Sequence, residues 1–270
     1  CVVGPNGSGK TNLLDAIYFL ALTKSARHNQ DALCVQHEAP FFLLDGIFLK
    51  NQQRTQITCS FQVGQRKVLQ ADKKNYERLS DHIGQFPVVL VAPDDTDLVR
   101  EGSEKRRRFF DGVMAQLDPA FLSAFLQYNK LLAQRNSLLK LFAERNYLDD
   151  VLLETYSTPL VALAQQIHRQ REGFMEQFVP LFQQYYAYLS NAREGVTIYY
   201  ESVLASPDFV ADFARNRARD LVAQRTGMGV HKDDFVFELG GVALKKFGSQ
   251  GQQKSFVIAL KLAQYALLAK

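Results

Sequence analysis

The sequence has few cysteines, no tryptophan and no long uninterrupted apolar run among its 270 residues. Its three cysteines, Cys1, Cys34 and Cys59, are odd in number and lack a CxxC spacing, which excludes a disulfide framework and a zinc-ligand pattern. The apolar stretch 256–268 is interrupted by Lys261 and Gln264, whereas a membrane-spanning helix needs about 20 apolar residues. We therefore expect a soluble, cytoplasmic protein without a membrane partner.

The composition is that of a globular protein. Hydrophobic residues make up 47% and charged residues 22% of the chain, which excludes the collagen-like and disordered classes. The net charge of +4 permits an anionic partner without requiring one. Because Cys1-Val2-Val3 has the character of the end of a buried strand, we expect further sequence upstream and a chain that is truncated.

A glycine-rich loop near the N-terminus matches the phosphate-binding pattern GxxxxGK[ST] in full. It consists of Gly4, Pro5, Asn6, Gly7, Ser8, Gly9, Lys10 and Thr11. A helix is predicted over 10–22, and its expected apolar stripe consists of Leu13, Leu14, Ile17, Leu20 and Ala21. Backbone N–H groups at such a helix start surround phosphates, Lys10 reaches the β and γ oxygens of a nucleotide, and the Thr11 hydroxyl binds Mg²⁺. The loop alone is compatible with a kinase, a GTPase, a motor or a switch.

The chain is predicted to consist of three blocks. The first, 1–102, contains a hairpin of strands 41–50 and 56–69 around a turn at 51–54, and a buried strand at 87–91. The second, 103–190, is helical, with a helix start at Ser157-Thr158-Pro159. The third, 191–270, contains a strand at 196–204, a helix at 207–224, a hairpin of 235–239 and 242–246, and a last helix from Ser249.

A second glycine-bearing turn precedes the last helix. Its residues Ser249, Gln250, Gly251 and Gln252 resemble the signature motif of ABC ATPases, with Gln250 where that motif has a glycine. In ABC ATPases this motif contacts the γ-phosphate that the partner subunit holds. The resemblance therefore implies that Ser249, Gly251 and Gln252 sense ATP in trans, in a head-to-tail pair.

Further blocks, in the same order along nearly the whole chain, resemble the bacterial RecF family. They are Asn12 to Tyr18 after the phosphate loop; Ala92-Pro93-Asp94-Asp95 with Gly102 and Arg106 to Asp111; Tyr128 with Gln134-Arg135-Asn136 and Leu138-Leu139-Lys140; Arg225-Thr226-Gly227 with His231-Lys232-Asp233-Asp234; and the signature turn. The resemblance implies an α/β fold, a P-loop ABC-type ATPase head. It implies a mixed or parallel sheet and an antiparallel β lobe, with an inserted helical subdomain at 103–190 between ATPase parts 1–102 and 191–270.

The same resemblance implies a function in DNA repair, replication and recombination, including the SOS response to DNA damage. Members of the family bind ATP with Mg²⁺, dimerise on ATP, bind single- and double-stranded DNA, and load the strand-exchange recombinase at gaps with the recombination mediator proteins of the RecF pathway. The family's Walker B residues follow the signature helix. Since the 270 residues stop on that helix, we expect weak ATPase activity of the full-length protein and none of this chain alone.

Two polar segments leave alternatives open. The run Lys105, Arg106, Arg107 and Arg108 at a helix start fits DNA phosphates, but it equally fits a solvated face or pairing with Asp94, Asp95 or Asp111. The segment 231–234 fits a structural or nucleotide-sensing loop better than a metal site, because no second ligand cluster is spaced to complete one.

Three other functions are compatible with a phosphate loop. A small-molecule or nucleotide kinase does not explain the signature turn, and an SMC-like structural head predicts longer heptad runs than this chain has. A transporter ATPase subunit more often has a glycine at the position of Gln250.

Overall fold

The protein, seen in a computed structural model that describes residues 1–269, divides into two compact units. The first contains Cys1–Leu90 with Ala115–Pro119 and the C-terminal end from Leu268, and the second contains Val91–Met114 and Ala120–Leu267. Each unit has its own hydrophobic core. The division into blocks 1–102, 103–190 and 191–270 stays a prediction.

The first unit combines the phosphate-loop helix with an antiparallel sheet. Its elements are α1 (Lys10–Leu22), β1 (Phe41–Lys50), β2 (Gln53–Gln62), β3 (Val68–Ala71) and β4 (Lys74–Asn75), with 3-10 turns at Asp31–Cys34 and Leu79–His82. The strands pair in the order β1-β2-β3-β4. The predicted hairpin is confirmed, but its turn is only Asn51-Gln52, whose φ angles of 49° and 64° suit the left-handed turns that match strand twist. The predicted second strand, 56–69, is not continuous, because β2 ends at Gln62 and β3 begins at Val68.

The C-terminal turn of α1 covers the core face of the sheet. Phe19 and Leu20 pack with Ile57 and Cys59 of β2, and a Cβ at Gly46 would lie 2.7 Å from Leu20 Cδ1. The predicted apolar stripe of α1 is wrong in its first half, since Leu13, Leu14 and Ile17 are 48%, 49% and 45% exposed. The buried residues are Phe19, Leu20, Ala21 and Leu22. The sheet contacts only the C-terminal end of α1, so only the residues at that end are buried.

Two predicted strands are not formed. Residues 1–3 and 87–91 have no strand structure, and Val3 and Val91 are 84% and 60% exposed. An extended segment becomes a strand only when a neighbour satisfies its backbone groups, and within residues 1–269 no strand pairs with either segment. The amide of Val88 instead donates to Gln116 Oε1 at 3.0 Å. The α/β class is confirmed, but all strand pairs among the described residues are antiparallel.

The second unit contains long helices and a second antiparallel sheet. The remaining α-helices and strands of the described residues are α2 (Asp97–Arg100), α3 (Ser103–Leu117), α4 (Pro119–Arg145), α5 (Asp150–Ser190), β5 (Val196–Glu201), α6 (Phe209–Arg215), α7 (Arg217–Ala223), β6 (Asp234–Leu239), β7 (Val242–Ala243), α8 (Leu244–Phe247) and α9 (Gln250–Leu268). The strands pair in the order β5-β6-β7. This confirms the helices of 103–190, the return strand and the last helix. The segment 207–224 forms two short helices, and 242–246 forms a two-residue strand followed by the start of α8.

The predicted helix start at Ser157-Thr158-Pro159 is wrong. Helix α5 runs unbroken through Pro159 for 41 residues, and its N-cap is Asp149, whose side chain accepts from Leu152 N at 2.9 Å. An internal proline removes one hydrogen bond and costs about 3 kcal/mol. The buried face that continues on both sides, with Leu153, Leu160 and Ile167, offsets this cost.

Aromatic packing forms the core of the second unit. Phe110 of α3 lies 4.2 Å from Phe235 of β6, and Phe182 of α5 lies 4.6 Å from Phe256 of α9, measured between ring centroids. Helices α3, α5 and α9 therefore share one core with the sheet. Across residues 1–269, no helix is long and apolar enough to cross a bilayer.

Candidate functional site: a phosphate loop and a signature turn

The phosphate loop has the backbone form that its glycines predict. Gly7 and Gly9 have φ angles of 84° and 85°, a left-handed conformation that glycine adopts at little cost. A Cβ at Gly4 would lie 2.9 Å from Ser8 Oγ, so a larger residue there would require the Ser8 hydroxyl to move. Helix α1 starts immediately after Gly9, and Leu13 N donates to Gly9 O at 3.0 Å.

The eight-residue motif encloses most of a cavity of about 310 Å³. The lining residues are Asn6, Gly7, Ser8, Gly9, Lys10, Thr11, Asn12 and Arg27. Lys10 Nζ donates to Gly4 O and Pro5 O, both at 2.7 Å, which leaves one of its three N–H donors for a phosphate oxygen. The exposed Thr11 lies on the first helical turn, where its hydroxyl would supply one oxygen ligand to Mg²⁺. These groups fit the phosphates of ATP and the ion that accompanies them.

Arg27 at this cavity was not found by sequence reasoning. The loop after α1 is held to the helix because Asp15 accepts from Ser25 Oγ at 2.7 Å and from Ala26 N at 2.8 Å. Arg27 N in turn donates to Ser25 Oγ at 3.0 Å. The sequence held one signal for this loop. Asp15 lies one helical turn after the motif and Ser25 follows ten residues later, and a carboxylate and a serine so placed can hold a loop to a helix.

The signature turn is a capped helix start. Ser249 N donates to Gln252 Oε1 at 2.7 Å, and Gln252 N donates to Ser249 Oγ at 3.3 Å, the reciprocal pair of a capping box. Gln250 and Gly251 are exposed on the first turn of α9. The structure thus presents this motif at the surface of the second unit.

Two glycines flank this turn for different reasons. A Cβ at Gly248 would lie 2.6 Å from Leu244 Cδ1 and 2.7 Å from Leu244 O, so the fold itself requires glycine there. A Cβ at Gly251 would approach nothing among residues 1–269 closer than Ser249 Oγ at 4.0 Å. Since glycine lowers helix stability, the described residues give no packing reason for Gly251.

The basic run at the start of α3 is paired within the protein. Arg106 donates to both carboxylate oxygens of Asp234 at 2.8 Å, and Arg107 Nη1 donates to Asp233 O at 2.5 Å. These partners come from segment 231–234 instead of the aspartates considered from sequence. Lys105 pairs with Glu101 and Asp97, and Arg108 with Glu104.

Segment 231–234 is partly buried: Asp233 is 2% exposed, whereas Lys232 lies at the surface. His231 Nε2 faces Thr226 O at 3.0 Å, so this nitrogen carries the proton, and Nδ1 accepts from Tyr128 OH at 2.7 Å. Burial lowers the pKa of His231 to about 4, so the ring is neutral at pH 7. Among residues 1–269 no group of three or more His, Cys, Asp or Glu side chains is arranged to hold a metal ion.

Two buried arginines join the sequence blocks of the second unit. Arg171 of α5 donates to Asp111 at 2.9 and 3.0 Å and to Asp233 at 2.7 Å. Burial alone would lower the pKa of Arg171, but the two carboxylates and Tyr200 raise it, so the guanidinium stays charged. Arg135 of α4 pairs with Asp220 at 2.7 Å, and both side chains are 1% exposed. The segments around 135, 171 and 220–234 therefore form one polar network.

Comparison with known proteins gave consistent likenesses. A family model described as "AAA domain, putative AbiEii toxin, Type IV TA system" matches residues 1–172. The chain is 44% identical over 270 residues to the DNA replication and repair protein RecF of Flavobacterium johnsoniae, covering 100% of this chain and 75% of the relative. It is 44% identical over 265 residues to the protein of the same name from Cytophaga hutchinsonii, covering 98% and 70%.

Two solved structures are similar over almost the whole chain. "Structure of the recombination mediator protein RecF-ATP in RecFOR pathway" matches with a TM-score of 0.92 at 26% identity, covering 98% of this chain and 73% of the other. "Structure of the recombination mediator protein RecF-ATPrS in RecFOR pathway" matches with a TM-score of 0.89 at 26% identity, covering 98% of this chain and 74% of the other.

Proposed function

Because the chain belongs to the RecF family of DNA replication and repair proteins, we propose that it is an ATP-dependent DNA-binding protein of recombinational repair. On ATP it forms a homodimer, binds single- and double-stranded DNA at gaps, and helps to load the strand-exchange recombinase with the mediator proteins of the same pathway. The similarity to a structure described as RecF-ATP supports ATP as the nucleotide that this chain binds.

The proposed dimer rests on one observation, the exposure of Gly251. This glycine stands on the exposed first turn of a capped helix, where the described residues leave open space around it. A helix start with free N–H groups binds phosphate, and the absence of a side chain allows a phosphate to approach the backbone closely. We assign this approach to the γ-phosphate of ATP bound in the phosphate loop of a second copy.

ATP then acts as a switch between one and two subunits. The phosphate loop binds ATP within one protomer, with Lys10 on the β and γ oxygens and Thr11 toward Mg²⁺. The signature turn of the partner contacts the γ-phosphate, so ATP stabilises the dimer and ADP does not. Slow hydrolysis by the full-length protein removes this contact and releases the DNA.

DNA contact in this proposal rests on exposed cations. Arg106 pairs with the carboxylate of Asp234, and Arg107 donates to the backbone carbonyl of Asp233. The Arg106 side chain is 12% exposed. Lys105 and Arg108 are 42% and 54% exposed and remain candidates for DNA phosphates. Binding through such contacts is independent of sequence and weakens steeply with salt.

Sedimentation of the full-length protein tests this function. We expect dimers with ATP, monomers with ADP or without nucleotide, and tighter DNA binding by the dimer. Ser249→Arg should abolish the dimer while ATP still binds, whereas Lys254→Ala, an exposed change on the next turn of α9, should dimerise normally. ATP binding with no dimer under any condition would contradict the proposal and favour a monomeric enzyme such as a kinase.

A further inference from the structure

Glu194 lies in the short connection between α5 and β5 and reaches the signature turn from there. The chain reverses after α5 through Asn191 and Ala192, whose φ angles are 53° and 54°. It is then fixed by a hydrogen bond from Gly240 N to Gly195 O at 2.8 Å, next to the start of the sheet. The backbone of Glu194 is therefore held between two ordered segments.

The carboxylate of Glu194 joins two side chains. Its Oε1 accepts from Gln252 Nε2 at 2.6 Å, and its Oε2 accepts from Tyr186 OH at 3.2 Å. Burial, and the nearby carboxylate, raise the pKa of Tyr186 to about 12. The phenol therefore keeps its proton at pH 7 and acts as the donor that orients Glu194.

This contact decides which way the Gln252 amide faces. A carboxylate only accepts hydrogen bonds, so the nitrogen of the amide must face Glu194. The oxygen then faces Ser249 N, where it closes the capping box at 2.7 Å. The Ser249 hydroxyl accepts from Gln252 N and keeps its own O–H as a donor.

From this geometry we propose that Glu194 is the positioning residue of the signature turn. Through Gln252 it holds Ser249 so that the hydroxyl and the Gly251 N–H face the partner's γ-phosphate. Gln252 accordingly acts as a bridge inside the protein, whereas the sequence motif had suggested a phosphate contact. The inference rests on the proposed ATP-dependent dimer, whose composite site it refines.

The test measures ATP-dependent dimerisation of the full-length protein by sedimentation, with ATP affinity of the monomer and thermal unfolding measured in parallel. Glu194→Ala should raise the dimer dissociation constant about tenfold, the loss expected for one hydrogen bond to a charged group. Glu194→Gln keeps a carbonyl oxygen that accepts from Gln252 Nε2, while its NH2 group can donate to the Tyr186 hydroxyl oxygen. This variant should stay within about threefold of the wild type. Tyr186→Phe should give a smaller loss than Glu194→Ala, and ATP affinity of the monomer should be unchanged throughout.

Glu176→Ala, which removes an exposed carboxylate of α5, is the matched control and should behave as the wild type. If the wild type dimerises with ATP and Glu194→Ala dimerises equally well, the role assigned to Glu194 is refuted, whereas the proposed function is not. Loss in both Glu194 variants without rescue by glutamine would also refute that role, because positioning does not need the charge. If the wild type forms no dimer with ATP, the proposed function fails and this assignment fails with it.

Discussion

Replacing Gly251 with alanine should strengthen the fold and weaken the dimer. Gly251 is the second residue of α9, and a Cβ there would meet nothing in residues 1–269 closer than 4.0 Å. Alanine in a helix is more favourable than glycine by about 0.5 to 1 kcal/mol. For a protein of this size, that corresponds to an increase in Tm of about 2 °C.

The same methyl group stands where the proposal places the partner's γ-phosphate. Pushing the phosphate away removes one charge-assisted hydrogen bond, worth about 1.5 to 3 kcal/mol. The dimer dissociation constant with ATP should therefore rise by about 10- to 100-fold. A gain in stability together with a loss of assembly is not expected of a residue that serves only the fold.

Gly248→Ala, three residues earlier, provides the opposite control. Its Cβ would lie 2.6 Å from Leu244 Cδ1, so this variant should lower stability by about 1 to 3 kcal/mol. Thermal unfolding followed by circular dichroism separates the two variants, and sedimentation with ATP measures the dimer. A Gly251→Ala protein that is more stable and still dimerises like the wild type would refute the reasoning about this turn.

Three further results are expected. Arg135→Met should lower stability by about 3 to 5 kcal/mol in chemical denaturation, because it leaves the buried Asp220 carboxylate unpaired; a loss below 1 kcal/mol would contradict the pairing. Lowering the pH from 7 to 5 should cost about 2 kcal/mol through His231, since its pKa of about 4 lies below that of the unfolded chain, which takes up the proton first. His231→Gln should remove that part of the slope, and an unchanged slope would count against it. Asp15→Ala should release the loop that carries Arg27. The ATP affinity measured by calorimetry should then fall about threefold or more, which corresponds to the loss of roughly one hydrogen bond. An unchanged ATP affinity would exclude Arg27 from the site.

Local patterns predicted local structure well. The phosphate loop, the hairpin after α1, the helices of 103–190 and the capped start of α9 depend on residues close together in sequence, and all four are present. The helix start at Pro159 was wrong because a local breaking signal competes with a buried face that extends along the whole of α5. The strand at 87–91 failed for a related reason, since an apolar run cannot show whether a partner strand is available.

Long-range pairings could not be obtained from sequence. The sequence allows Arg106 to pair with a carboxylate, but its partner Asp234 lies 128 residues away. Glu194 and Gln252 are 58 residues apart, and neither belongs to a pattern that predicts the other. The motifs thus predict where phosphate would bind, while the residues that contact the motifs could be found only from the three-dimensional fold.

Mixing two inactive variants tests the ATP-bridged dimer most directly. Lys10→Ala lacks the phosphate-loop cation but keeps its signature turn, and Ser249→Arg keeps the loop but lacks the turn. With ATP, each variant alone should sediment as a monomer, and an equal mixture should form dimers that contain one copy of each, because one composite site is then intact. A mixture that remains monomeric where the wild type dimerises, or either variant dimerising alone as the wild type does, would contradict the account.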